Sequence, residues 1–369
     1  MKIGIVTLPL HSNYGGILQA WALQTVLIQL GHDVKVINKA LYKPTKLSIL
    51  CKHPERLLKK YIFRKNIPIL HERLAYEDIK KRMRDIKPFI ETHIYQRIVL
   101  KLSEIEESEF DILVFGSDQV WRPAYFVPSY SKIVDAFGAF ANKWKIRRLS
   151  YAASFGLDNL SEFRKRDIKK IERELHQFSG ISVREATGVE LCKNYFHVDA
   201  VHVLDPTMLI SKESYLKIAE NVSPDTNGKV LEYILDPDVE KKRIIEEFSQ
   251  KLKCPVYSVS PNYGSGIPQV SVEEWLAGFR DAKMIITDSF HACVFSIIFG
   301  KPFIVMANPG RGISRIESLL AMFNLHHHLV TSMEQIKSID TYKIASSVYD
   351  FLAEWQSKSI KFLTSALSK

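Results

Sequence analysis

The run Asp288-Ser289-Phe290-His291 puts a carboxylate, a hydroxyl and an imidazole at one corner between two apolar stretches. Met284 to Thr287 lies on one side and Ala292 to Phe299 on the other, followed by Gly300, Pro302 and a second apolar run from Phe303. This order reads as strand, polar corner, short helix, glycine stop and buried strand. Asp288 or Ser289 is expected to cap the helix, with His291 in its first turn. Backbone amides and the positive end of the helix dipole then converge on the corner, and an anion is the natural occupant. A histidine there can act on the anion it faces, although a histidine satisfied beneath the helix fits the same pattern.

Four further corners carry matching chemistry. The loop Asn13-Tyr14-Gly15-Gly16 allows close backbone approach to a ligand, or is simply a glycine pair ahead of a helix, since it lacks the full dinucleotide fingerprint. Gly116-Ser117-Asp118-Gln119 offers an acceptor and a donor after a strand, with helix capping as the plainer role for Asp118. Ser154-Phe155-Gly156 follows another strand. Ser182-Val183-Arg184-Glu185 places a guanidinium where it can grip a carboxylate or phosphate through two parallel hydrogen bonds, unless Glu185 or another carboxylate already holds it. Read together at the carboxyl ends of parallel strands, these corners describe an interdomain cleft for a small anion carrying carboxylate and phosphate. His326-His327-His328 adds no metal site, because adjacent histidines on a short segment project in different directions and no carboxylate cluster accompanies them.

The elements that must position these corners alternate between buried strands and helices, the pattern of an α/β fold with mainly parallel sheets. Strands are expected at Ile3 to Leu8, Val34 to Ile37, Asp111 to Phe115, Leu149 to Ala153, Ile181 to Val183 and Ala200 to Leu204, forming a first sheet. Val230 to Leu235, Pro255 to Val259, Met284 to Thr287 and Phe303 to Met306 form a second. The Asp205-Pro206 turn is the expected boundary. It gives an N-terminal domain over residues 1–204 with a basic helical insertion near 45–105, and a donor-binding domain over 205–340. A closing helix within 341–369 packs back on the first domain. With 369 residues, 46% of them hydrophobic, the chain can bury two cores, and Trp21, Trp275 and Phe279 at helical spacing belong to them.

No stretch approaches the roughly 20 apolar residues that span a bilayer. The opening Lys2 to Leu8 is too short for a signal peptide's apolar region, so a cytoplasmic protein is expected. Cys51, Cys192, Cys254 and Cys293 are scattered and read as reduced, buried fillers. The net charge of +10 is concentrated: Lys52 to Lys101 holds 14 Lys and Arg against six Asp and Glu, interleaved with Tyr61, Phe63, Tyr76, Phe89 and Tyr95. The run fits a solvated helical insertion. It also fits a surface resting on anionic headgroups, or on a lipid-phosphate-linked acceptor, at the inner face of the plasma membrane. No recognition motif stands beside the charge, so nucleic acid is not an expected partner.

One family carries these motifs in this order. The loop His11 to Gly16 with Leu18 to Gln24, then Gly116 to Trp121, Tyr151 to Gly156, Ser182 to Glu185, Asp205-Pro206-Thr207, and Asp288 to His291 running on to Pro302, together resemble the polysaccharide pyruvyl transferase family. The resemblance implies two Rossmann-like domains facing a cleft, as in GT-B glycosyltransferases. It implies phosphoenolpyruvate as donor with no separate cofactor, and a sugar or lipid-linked oligosaccharide presenting a hydroxyl pair as acceptor. The product would be a cyclic pyruvate ketal on a cell-surface polysaccharide precursor. By this resemblance His291 is the donor-site histidine, in phosphate binding or general-acid work, and Arg184 is the donor-binding arginine. Ser289, Asp288 and the helix amides would hold phosphate, with Asn13, Gly15 and Gly16 beside the donor and Arg311 and Arg315 adding positive charge. Asp118 is assigned to hydroxyl activation or acceptor orientation. Arg122 departs from the small polar residue expected after Trp121, which bears on the acceptor side. Two other functions fit the fold: a GT-B glycosyltransferase using a nucleotide sugar, which should show a strand-end carboxylate for the ribose, and a non-catalytic glycan-assembly partner.

Overall fold

The computed structural model describes residues 1–41, 43, 71–261, 267–332, 335 and 337–368. Much of the basic run, with Tyr61, Phe63 and Cys51, therefore lies outside the described residues. Strands β1 (Lys2–Val6), β2 (Asp33–Lys39), β3 (Gln96–Val99), β4 (Ile112–Phe115) and β5 (Arg147–Ser150) form a sheet in the order β3-β2-β1-β4-β5. Every pairing in it is parallel. Single bridges from Leu149 to Gly180 and from Ala153 to Val183 continue it to the parallel pair β6 (Ser182–Val183) and β7 (Val201–His202). The second half holds β8 (Val230–Tyr233), β9 (Val256–Ser258), β10 (Met284–Thr287), β11 (Phe303–Met306) and β12 (Leu329–Val330). These strands are again all parallel, in the order β12-β11-β10-β8-β9.

The central strands are fully buried, which is why β4, β10 and β11 read as unbroken apolar runs rather than alternating ones. Strand order reverses between β1 and β4 in the first sheet and between β8 and β10 in the second. Connections leave such a point toward opposite faces of the sheet, and the crevice between them lies beyond the strands' carboxyl ends. β3 falls inside the basic run, where no strand was expected, because Gln96-Arg97-Ile98-Val99 serves as an edge strand with Ile98 exposed and shows little of the apolar signature of a central one.

The helix Tyr14–Gln29 takes Gly15 and Gly16 into its first turn, where the sequence suggested a loop ahead of it. Twelve of its 16 residues are buried. A helix covered on nearly all sides must pack against more than one layer, and this one also joins the halves. Trp21 meets Tyr215 edge-on at 5.5 Å, and Tyr14 stacks on Trp275 at 5.1 Å, within one hydrophobic cluster that runs through both halves. The last helix, Ser347–Ser368, lies against the first half: Arg147 Nη1 donates to the Leu367 carbonyl at 2.9 Å, and the Leu204 amide donates to Ser359 Oγ at 3.0 Å. Among the described residues no helix is long and apolar enough to cross a membrane, and no cluster of three or more His, Cys, Asp or Glu is arranged to hold a metal ion.

His202, half-buried, and His328, buried, are hydrogen-bond donors, through Nε2 to the Arg184 carbonyl at 3.1 Å and through Nδ1 to the Phe303 carbonyl at 2.8 Å. Burial pushes both imidazoles down to about 4, with Lys358 adding to the effect on His202 and His327 to that on His328. Below about pH 6.5 the unfolded chain therefore binds protons that the folded protein refuses, and stability falls as pH drops toward 4. The expected result is a lower urea midpoint at pH 5 than at pH 7, with the difference reduced when His202 and His328 are both replaced by glutamine. Equal midpoints at the two pH values would show that these rings protonate in place.

Candidate active site

The segments after β1, β4, β8, β10 and β11 enclose a cavity of about 260 Å³ between the two halves, with Asp118, Ser289, His291 and Arg315 in its wall. Ser289 is the extended residue preceding the helix Phe290–Phe299, and Gly300, at φ +69°, ends that helix in the left-handed conformation. Neither expected cap forms. Ser289 makes no side-chain cap bond, and Asp288 turns the other way. Its carboxylate accepts from the amides of Leu235 at 2.7 Å and Asp236 at 3.2 Å, from Lys241 Nζ at 2.8 Å and from Asn308 Nδ2 at 2.8 Å. Asp288 thus ties the β8 loop to the β10 corner, while the first-turn amides of the helix have no side chain capping them.

His291 sits in that first turn, 6% exposed. Its Nε2 lies 3.4 Å from Asp205 Oδ2, a charge contact rather than a formed hydrogen bond, so Nε2 has no hydrogen-bond partner. The opposite face of the ring meets the helix Tyr14–Gln29: a Cβ built at Gly15 would stand 2.0 Å from His291 Nδ1. Gly15 is therefore the residue that makes room for the imidazole. Gly16 faces Asn13 and Asp118 with more space, 3.1 Å to Asn13 Nδ2.

Arg184 stands one layer behind the cavity wall, 2% exposed and in contact with Asp118 and Phe290. It donates through Nη1 to Asp205 Oδ2 at 2.9 Å and through Nη2 to Asp118 Oδ1 at 3.3 Å, and its Cζ is 4.3 Å from the Phe290 ring centroid. Burial alone would lower its pKa, but Asp205 and Asp118 outweigh that and raise it. Asp118 caps no helix: the next one begins at Pro123, with Arg122 as its N-cap. It adopts φ +63°, a sparsely populated conformation for a non-glycine residue, which aims its carboxylate at Arg184 and Asn13. Burial pushes Asp118 up, and Arg184, His291 and Arg315 more than reverse this. Glu185 does not hold Arg184 by a hydrogen bond; its Oε1 accepts from the Phe155 amide at 2.8 Å and burial pushes its carboxyl up.

Arg315 lines the cavity, its Cζ 5.9 Å from the same Phe290 ring. Burial and the neighbouring Arg184 push its guanidinium down to about 10, and its Nε has no hydrogen-bond partner. Arg311 is at the rim, paired with Asp236 through Nε and Nη2. Arg122 is the strut of this region. It donates to Glu162, to Gln119 Oε1 at 3.0 Å, and across the seam to the Gly310 carbonyl at 3.2 Å. The halves also meet backbone to backbone there, since a Cβ at Gly312 would fall 1.6 Å from the Gly156 carbonyl oxygen.

His291, Arg184, Asp118, Arg315, Ser289, Asn13, Gly15 and Gly16 thus converge, while Asp288 and Arg311 are bonded to other protein groups around the cleft. Sequence reasoning read Asp205 as a boundary turn and gave it no role in the site. Its carboxylate is also the buried centre of the site: Oδ2 accepts from Ser117 Oγ at 2.8 Å and from Arg184, Oδ1 accepts from the Thr207 amide and hydroxyl, and His291 stands beside it. Its signal was its place in the Asp205-Pro206-Thr207 motif. The arrangement is a pocket lined by the Arg315 guanidinium, the imidazoles of His291 and His11 and uncapped helix amides, with Arg184 and buried carboxylates behind the wall, which suits a small anion.

Comparison with solved structures gives the same architecture. The MnaA–UDP structure from S. aureus superposes with a TM-score of 0.51 at 12% identity, covering 100% of this chain and 98% of that one. A UDP-GlcNAc 2-epimerase from Neisseria meningitidis bound to UDP-GlcNAc gives 0.49 at 12%, covering 100% and 99%. At 12% identity the likeness to MnaA shows the fold alone: two Rossmann-like domains facing a cleft, of the GT-B type. No curated protein matches the chain. The sequence profile described as polysaccharide pyruvyl transferase matches residues 13–310, from the loop before Gly15 to the loop that carries Arg311, and so spans every corner of the site except the last arginines. The chain belongs to the polysaccharide pyruvyl transferase family.

Proposed function

We propose that the protein is a transferase that moves a pyruvyl group from phosphoenolpyruvate to a hydroxyl pair of a sugar in a cell-surface polysaccharide precursor. The observation that carries this reading is the uncapped first turn of the helix Phe290–Phe299, with His291 beside Asp205 and Arg315 in the same wall. Amides and Ser289 suit the phosphate, and the guanidiniums suit the remaining negative charge of the donor. The methylene carbon must gain a proton, and His291 is the acid in this reading. The central carbon then accepts the first sugar oxygen, phosphate leaves with the electrons of its C–O bond, and the second hydroxyl closes the ketal ring. Asp118, its oxygens already bonded to Arg184 and Asn13, is given acceptor orientation. Use of a nucleotide sugar would want a strand-end carboxylate for the ribose. Asp236, beyond β8, is bonded instead to Arg311 and Asn308.

A ligand that binds only the folded state raises the melting temperature, by the equivalent of about 2.7 kcal/mol at a hundred times its Kd. Phosphoenolpyruvate is expected to stabilise the wild type and to lose that effect in His291→Ala, while nucleotide sugars leave both unchanged. Stabilisation by a nucleotide sugar alone would replace the donor assignment. Arg184→Ala is a poorer probe, because it strands Asp205 and part of Asp118 without their cation.

We further infer peripheral contact with anionic membrane through the basic run. On the described part of it, Arg73, Lys80, Lys81, Arg84 and Lys87 are exposed, and Leu74 is 57% exposed among them. The protein should cosediment with vesicles containing phosphatidylserine at low salt and be released by 0.5 M salt, a concentration chosen at about half the 1 M at which screening reaches about 3 Å. Absence from the pellet at low salt would confine the run to a solvated face.

A further inference from the structure

The first half of the chain gives the cleft one base-type side chain that the preceding scheme leaves idle. His11, in the loop after β1, lines the cavity together with Ser12, Asn13 and Ser129. Its Nε2 is buried and has no hydrogen-bond partner. The carboxylates around the site are already committed: Asp118 to Arg184 and Asn13, Asp205 to Ser117, Arg184 and Thr207, and Asp288 to two amides, Lys241 and Asn308. We propose that His11 is the base that takes the proton of the attacking acceptor hydroxyl, and that the wall around it binds a neutral pyranose directly, a role that rests on phosphoenolpyruvate being the donor.

The hydroxyl oxygen bonds to the central carbon of the protonated donor while its O–H bond breaks and the proton passes to Nε2 of His11. The carbon–phosphate oxygen bond then breaks with its electron pair going to phosphate. Phosphate takes the proton of the second hydroxyl as the ring closes, and His11 returns its own proton to water. The surroundings favour this cycle. Burial, then Arg82 and Lys39, push the imidazole down to about 4, so the ring is uncharged and ready to accept. Arg82 donates to Ser12 Oγ and is paired with Asp78, and Lys39 donates to the Ser129 carbonyl, which anchors one cation to the β1 loop and the other to the helix Pro123–Tyr130, both of which line the cavity. A hydroxyl bonding to a cationic carbon becomes strongly acidic, so a weak base suffices, and the same two cations expel the proton afterwards. Leu8, Pro9 and Tyr125 complete the wall with apolar faces of the kind that pack on a sugar ring.

The test combines His11→Ala with phosphoenolpyruvate and a set of methyl hexopyranosides, reading ketal formation by mass spectrometry and donor binding by thermal shift. The wild type should form a ketal with at least one glycoside. His11→Ala should keep the phosphoenolpyruvate shift, lose about a hundredfold or more in turnover, and regain part of it with added imidazole, which a structural role would not allow. Turnover within threefold of the wild type, loss of the donor shift, or inactivity that imidazole does not relieve would each overturn the role of His11. A wild type stabilised by phosphoenolpyruvate yet inert toward every glycoside would overturn the neutral-pyranose wall. A wild type with no phosphoenolpyruvate shift marks failure of the donor assignment itself, and is thereby distinct from the others.

Discussion

Replacing Asp205 with asparagine is expected to destabilise the folded protein by about 3 kcal/mol, the lower end of the cost of removing one partner from a buried ion pair. The lower end applies because Arg184 keeps Asp118 as a second acceptor at 3.3 Å. The variant retains the shape of the side chain and the Thr207 bonds to Oδ1, but an amide NH2 in the place of Oδ2 would point its hydrogens at Arg184 Nη1 and Ser117 Oγ. Turnover should fall about a hundredfold at saturating substrate, since His291 would lose the carboxylate beside Nε2 that sets its orientation. The pH dependence identifies the cause. Burial pushes the Asp205 carboxyl up, but His291, Arg184 and Thr207 outweigh it and hold the group well below the usual carboxylate range. A depressed carboxylate contributes stability that is complete above its unfolded value of about 3.9 and is lost as pH falls through the folded value. The gap between wild type and Asp205→Asn should therefore be constant from pH 8 to 5 and narrow only in stronger acid. Unfolding free energies from urea titration that differ by less than about 0.5 kcal/mol at pH 7, the usual size of a surface effect, would demote Asp205 from the centre of the site.

The chemistry of this site was legible corner by corner, and its connectivity was not. Strong apolar runs announced β4, β10 and β11, and polar residues at their ends announced Asp118 and His291, because a parallel strand buried on both faces leaves its signature in consecutive residues. Asp205 escaped because its importance is made by Ser117, Arg184 and His291, three residues distant in the chain, while the Pro that follows it gives a plain local reading as a turn. The cap expected of Asp288 failed for a similar reason: Leu235, Asp236 and Lys241, from the β8 loop and the helix after it, win its carboxylate from the local helix. β3 was hidden by its edge position. Arg315, read only as added positive charge, turned out to line the cavity that Arg184 supports from behind.

The second large effect is expected from Gly15→Ala. Gly15 lies in the first turn of a helix and carries no positive φ, so alanine suits its backbone and, by helix propensity alone, would stabilise by up to about 1 kcal/mol. Packing decides the other way. The new methyl would stand 2.0 Å from His291 Nδ1 and 2.3 Å from Cγ, and the ring has little freedom to withdraw, being buried with Asp205 on its far side. Forcing an extra carbon into such a site costs typically about 1–3 kcal/mol, and displacing a reacting group by about 1 Å can cost about a hundredfold in rate. Gly15→Ala should therefore lower the melting temperature and abolish stabilisation by phosphoenolpyruvate. Gly16→Ala, whose methyl would meet only Asn13 at 3.1 Å and Asp118 at 3.6 Å, should keep that stabilisation and change the melting temperature far less. The pairing can be isolated by a double-mutant cycle, because His291→Ala removes the ring that the methyl strikes. In that background Gly15→Ala should cost nothing and show the helix-propensity gain, a coupling of opposite sign to the single mutant. Additive losses in the double variant would mean that the strain falls on the helix backbone instead, and that the seam between the halves, not the seat of His291, is what the glycine protects.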